Sequence, residues 1–200
     1  MEPSPSPEVD TLFALADLGV RTGLAGHPEP AIDPATLPPA LREEQGVFVT
    51  LEVEGQLNGC MGSIAAVEPL GTAVARLAWD AAFSDPRLPP LTADEYPSLE
   101  IKLSLIGPLQ ALPAPSEEEL AAALRPGGDG LVIRYGRAQA TFLPAVWKKL
   151  PDPLTFLRHL EAKAGLEPGA WPAGMRAWRY TSTEYRRRAV EINRQSWSAA

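Results

Sequence analysis

Val47-Phe48-Val49-Thr50-Leu51-Glu52-Val53-Glu54-Gly55-Gln56-Leu57-Asn58-Gly59-Cys60 decides the reading of the fold. Val47 to Val53 is rich in β-branched and aromatic residues, as a half-buried strand requires. Glu54-Gly55 is a two-residue turn, and Gln56 to Cys60 returns as the second strand of a hairpin. Pro69 to Phe83 follows as a helix, with Leu70, Val74, Leu77, Ala78, Ala81 and Ala82 forming an apolar stripe. Ser84-Asp85-Pro86-Arg87 ends it, because proline disfavours helical backbone in the residue before it. Ser98 to Ile106 alternates apolar and polar residues and predicts a strand.

The same order recurs downstream. Leu131 to Tyr135 and Ala138 to Leu143 flank the turn Gly136-Arg137. Leu154 to Ala164 is a helix with Gly165 at its C-terminal cap, and a strand is expected over about 176–181. Pro144 onward reads as a short helix or turn. Both halves therefore spell β-β-α-β, a weak repeat that suggests two similar units, about 8–110 and 111–183, within one domain spanning 1–200. Further helices begin at Ser6-Pro7-Glu8, with Val9, Leu12, Phe13, Ala16 and Val20 on one face, and at the capping box Ser116-Glu117-Glu118-Glu119. Residues 26–39 hold five prolines and read as a loop, and 126–130 as a turn. Hairpins and helices without regular βαβ alternation give an α+β class, with mainly antiparallel sheets and flanking helices.

Composition sets the outer limits. With 22 Pro and 16 Gly spread over 200 residues, a coiled coil or all-helical bundle is excluded. One cysteine permits no internal disulfide, and with two histidines it argues against a Cys/His zinc site. No P-loop, dinucleotide fingerprint or Gly-x-Ser-x-Gly elbow occurs, so no cofactor is expected, and redox or metal chemistry would come from a partner. The opening MEPSPSPEVD is acidic and proline-rich where a leader would be basic and then apolar, and no apolar run is long enough for a membrane span. A cytoplasmic protein is the expectation. The net charge of −7 divides into +4 over 176–200 and −11 over the rest. The acidic body argues against broad nucleic-acid binding. The basic tail, 184–200, is read as a partner-docking segment, a contact with the chain's own body or, most plainly, a solvated helix face.

Chemistry is sought first at Leu57-Asn58-Gly59-Cys60-Met61-Gly62-Ser63. Two glycines bracket the sole cysteine at a strand end, where backbone N–H groups can form an anion nest and a thiol can act as a nucleophile. Cys60 is the candidate catalytic residue, and Asn58, Gly59, Gly62 and Ser63 are candidate ligand-binding residues. The plainer reading is a buried small hydrophobe. Asp85 can close a turn that holds Arg87 for a carboxylate or phosphate, or the pair can simply pack on the sheet. Trp147 is read as a hairpin anchor, and His159 as a surface residue.

Five ordered stretches carry a family resemblance. They are Gly46 to Leu51, Leu57 to Ser63, Asp85-Pro86-Arg87-Leu88-Pro89-Pro90-Leu91, Phe142-Leu143-Pro144-Ala145-Val146 and Lys163-Ala164-Gly165-Leu166. Together they resemble the AMMECR domain family over about Val9 to Tyr180. The family signature Leu-Arg-Gly-Cys-Ile-Gly reads here Leu57-Asn58-Gly59-Cys60-Met61-Gly62, so Asn58 stands where the family has Arg and any role of that guanidinium is missing. The resemblance implies an α+β fold with duplicated β-β-α-β character. It also implies a component of a modification pathway acting on RNA or protein beside a Memo-like protein and a radical SAM enzyme. The alternative is a noncatalytic binding or adaptor module that recognises a peptide, nucleotide or RNA element. A freestanding hydrolase lacks a recognisable nucleophile–base pair.

Overall fold

In the computed structural model the described residues are 6–197. Positions 1–5 of the opening segment and 198–200 of the expected tail lie outside them. The chain has an α+β fold with two four-stranded sheets. It divides into two units: one formed by the described residues up to Ile106 together with those from Thr183 onward, the other by Gly107–Ser182.

In the first unit, α1 (Pro7–Leu24) begins where Ser6 accepts a hydrogen bond from the Val9 N–H, with Pro7 in the first turn. Strands β1 (Val47–Val53) and β2 (Gln56–Ser63) form the hairpin read from sequence. Its turn places Glu54 at φ 51 and Gly55 at φ 77, the left-handed pair that a tight two-residue connection requires. Helix α2 (Leu70–Phe83) and strand β3 (Leu99–Ile106) complete the β-β-α-β series. Val47, Val49 and Leu51 of β1 and Leu99, Ile101 and Leu103 of β3 turn one face of the sheet into the core. Leu12, Leu15, Ala16 and Val20 of α1 and Val74, Ala75, Ala78 and Ala82 of α2 share that core.

The second unit repeats this plan. Strands β5 (Gly130–Tyr135) and β6 (Ala138–Phe142) turn at Gly136, φ 57, and are followed by α4 (Pro153–Lys163) and β7 (Arg176–Tyr180). Asp152 caps α4 by accepting from the Thr155 N–H at 2.8 Å, and Gly165, at φ 78, stands just past its C-terminal end, as the sequence predicted. Helix α3 (Glu117–Ala123) precedes the hairpin, capped by Ser116. Trp147 is the anchor expected of it. It is buried, its ring stacks on Phe156 with centroids 3.9 Å apart, and its Nε1 donates to the Asp129 carbonyl.

The duplication extends to strand order. With β4 (Gln110–Leu112) and β8 (Ser182–Arg188) included, the first sheet runs β2-β1-β3-β8 and the second β4-β7-β5-β6, so each has its hairpin's first strand flanked by the return strand and the third strand. The fourth strands are exchanged in sequence: β4 follows β3 but joins the second sheet, and β8 follows β7 but joins the first. The helix-face reading of the basic tail is thereby corrected, because β8 is a strand beside β3. Two arginines of the tail turn to α1, Arg187 standing 2.6 Å from Asp10 and over the Phe13 ring, and Arg194 2.9 Å from Asp17. No helix among the described residues is long and apolar enough to cross a membrane.

Candidate functional site

Strand β2 lies at the edge of its sheet, paired on one side only. A regular ladder from the turn would set Thr50 opposite Gly59 and Cys60 opposite Val49, on the core face. Instead the register shifts between Leu51 and Glu52. Leu51 pairs with Gly59 and Glu52 with Leu57, leaving Asn58 as an extra residue. The bulge moves Cys60 opposite Thr50, onto the face away from α1 and α2, and leaves its side chain half-buried. Asn58 and Gly59, adjacent in sequence, are both buried, as a bulge allows and strict alternation does not.

As the extra residue of the bulge, Asn58 sets the face that the thiol takes. Its Oδ1 is buried with no hydrogen-bond partner. Gly59 permits close contact with α2, since a Cβ there would stand 1.8 Å from the Ala81 carbonyl oxygen. At Gly62 the ring of the cross-strand partner Phe48 takes the space, with Cδ1 2.4 Å from where a Cβ would be. Ser63 sits opposite Val47 on the core side and accepts from the Ala65 N–H, so it does not join Cys60.

The turn after α2 closes the strand edge. The Cys60 N–H donates to Asp85 Oδ2 at 3.0 Å, and the Cys60 carbonyl accepts from Arg87 Nη2 at 3.0 Å. Asp85 Oδ1 accepts from both the backbone N–H and Nε of Arg87, at 3.1 and 2.8 Å, and Oδ2 from Arg87 Nη2 at 2.6 Å. One acid and one base therefore supply an acceptor and a donor to an edge that would otherwise be open. The Asp85 side chain is 2% exposed, and that of Arg87 61%. The guanidinium hydrogen bond holds the Asp85 carboxyl well below the usual range, with the backbone N–H groups adding to this and burial opposing it. Arg87 is pushed upward by the same partner.

The structure thus gathers Cys60, Asp85 and Arg87, with Asn58, Gly59 and Gly62 shaping the strand. Sequence reasoning missed Thr50, whose hydroxyl donates to Cys60 Sγ at 3.3 Å. The only available signal was the Asn58-Gly59 bulge, which sets that register. His27, of the same unit, is exposed before the prolines of the first loop and makes no hydrogen bond to the cluster, and His159 is exposed on α4 of the second unit. Asp85 is a poor general base, being strongly acidic and already accepting four hydrogen bonds. Among the described residues no group of three or more His, Cys, Asp or Glu side chains is placed to hold a metal ion.

The chain is thus an α+β protein with a β-hairpin repeated in two units, the first carrying a Gly-Cys-x-Gly strand held by an Asp-x-Arg turn. The chain belongs to the AMMECR1 family, whose pattern it matches over residues 15–185. It is 35% identical over 159 residues to a protein of Methanothermobacter thermautotrophicus, covering 79% of this chain and 82% of that one. It is 33% identical over 180 residues to one of Methanosarcina acetivorans, covering 88% and 90%. The crystal structure of uncharacterized protein PH0010 from Pyrococcus horikoshii is similar with a TM-score of 0.78 and 30% identity, over 88% of this chain and 89% of that one.

Proposed function

We propose that this chain is the recognition component of a modification pathway, acting with a Memo-like protein and a radical SAM enzyme, and that the clamped Cys60 edge of β2 is the surface a protein partner reads. The observation that carries this is the engagement of Asp85 and Arg87 by the Cys60 backbone. It leaves the thiol half-exposed beside a hydroxyl donor, with no base hydrogen-bonded to it among the described residues of its unit. A noncatalytic reading is favoured on the same ground. Protein is favoured over RNA because Arg187, Arg188 and Arg194 of the basic segment are paired with Asp10, Glu191 and Asp17 of the same chain.

Co-elution of the full-length chain with Memo-like and radical SAM proteins on gel filtration tests the reading. A complex is expected with the wild type and with Cys60→Ser, and its loss with Cys60→Trp and Arg87→Gln. Absence of any complex overturns the partnership. A Cys60→Ser complex that forms but leaves the pathway dead overturns the noncatalytic role. A complex that needs RNA and dissolves with added salt points instead to the RNA reading.

A further inference from the structure

We propose a second binding site in the first unit, for a small organic carboxylate with an apolar body. It shares no residue with the Cys60 edge and does not depend on the reading of that edge. A cavity of about 350 Å³ lies between the C-terminal half of α1, the proline loop that follows and the last described segment of the chain. That volume suits a small ligand.

The charged residues lining it are Asp17, Arg21 and Arg194. Asp17 is fully buried and accepts from Arg194 Nε at 2.9 Å, from the Tyr96 hydroxyl and, at the long distance of 3.5 Å, from Arg21 Nη1. Arg194 Nη2 also donates to Tyr96 at 2.9 Å, so Arg194 and Tyr96 already satisfy the buried carboxylate. Arg21 is in excess. The guanidinium keeps a single long contact, its side chain is 47% exposed, and its remaining donors have no protein partner among the described residues. Two guanidinium groups against one carboxylate leave the cavity with a net positive charge. Leu18, Ile32 and Trp197 supply apolar wall.

This combination selects its ligand by elementary chemistry. A planar guanidinium with open donors matches a carboxylate in a two-pronged hydrogen-bonded pair, and the apolar wall gains by covering an aliphatic or aromatic body. A cation meets Arg21 and Arg194 and is repelled. A neutral alcohol leaves the spare donors of Arg21 unused.

Titration of the full-length protein with hexanoate, hexanol and hexylammonium, followed by NMR at the Trp197 indole, tests the site. Hexanoate is expected to saturate at millimolar concentration while the other two do not. Arg21→Gln is expected to weaken hexanoate about tenfold or more, the loss of a charge-assisted pair. Arg21→Lys, which keeps the charge but not the fork, should fall between. Ala31→Trp, which fills the cavity from an exposed lining position, should abolish binding without lowering Tm. The proposal is overturned by hexanol or hexylammonium binding as tightly as hexanoate, by an Arg21→Gln affinity equal to wild type, or by no saturable response to hexanoate.

Discussion

The two hairpins are built alike and finished differently. Counting from the turn and setting the bulged Asn58 aside, Cys60 of β2 and Thr141 of β6 occupy the same place. In both units a cation from beyond the following helix or at its end donates to that residue's carbonyl: Arg87 to Cys60 and Lys163 to Thr141, each at 3.0 Å. There the likeness stops. Thr141 turns its hydroxyl inward to the Leu131 carbonyl at 2.9 Å and to Tyr180, so its polar group is satisfied within the sheet. The Tyr180 hydroxyl is pushed up to about 12 by its burial. Cys60 reaches the same face of its sheet only through a bulge that the second hairpin lacks, and its N–H is held by a buried carboxylate. One copy is a finished piece of sheet, and the other presents a side chain.

That comparison can be broken most severely at Gly59. A Cβ at 1.8 Å from backbone Ala81 leaves the helix no small adjustment, so Gly59→Val should cost about 3 kcal/mol in urea unfolding. At the matching position of the second unit, Ala140→Gly removes one buried methyl and should cost about 1 kcal/mol. Equal losses at the two positions would show that the first hairpin has no special closeness to its helix.

The next effect is at Asp85. Asp85→Asn keeps the shape but weakens the hydrogen bonds to Cys60 and Arg87, and should lower stability at pH 7 by about 2 kcal/mol, less than for a fully buried pair because Arg87 faces water. The sign with pH follows from the depressed carboxyl. Its contribution is present above the unfolded carboxylate range and is lost as pH falls below about 4 toward the folded value. The wild-type and Asp85→Asn unfolding curves should therefore converge on acidification. A gap that stays constant from neutral to acid pH contradicts the charged clamp.

Smaller effects sharpen the contrast. Lys163→Met, removing the counterpart cation of the second unit, should change stability by no more than about 0.5 kcal/mol, since its contact with Thr141 is exposed. Cys60→Ser should leave Tm within about 2 °C of wild type, because a hydroxyl of similar shape can still accept from Thr50.

The hairpins, helices and their caps were legible because each rests on local chemistry: Gly55 and Gly136 in turns, Ser6 and Ser116 at helix starts, apolar residues at strand or helix spacing. The strands that complete the sheets were not. Gln110–Leu112 is too short for a period to show, and Ser182–Arg188 carries three arginines and no buried residue, so its residues read as a solvated tail. The site was half legible. Cys60, Asp85 and Arg87 stood out by residue type, but their bonding spans 25 and 27 positions, and the proposed anion-binding Arg87 has Asp85 as its anion. Thr50 was hidden because one bulged residue decides which side chain faces the thiol.

Hydrogen exchange at the Cys60 amide tests the clamp most directly. In the wild type this edge-strand N–H, which has no neighbouring strand, should be protected about a hundredfold or more, and Asp85→Asn should remove most of that protection while the amides of β1 keep theirs. A Cys60 amide that exchanges at the open-chain rate in the wild type, or one whose protection survives Asp85→Asn unchanged, contradicts the account.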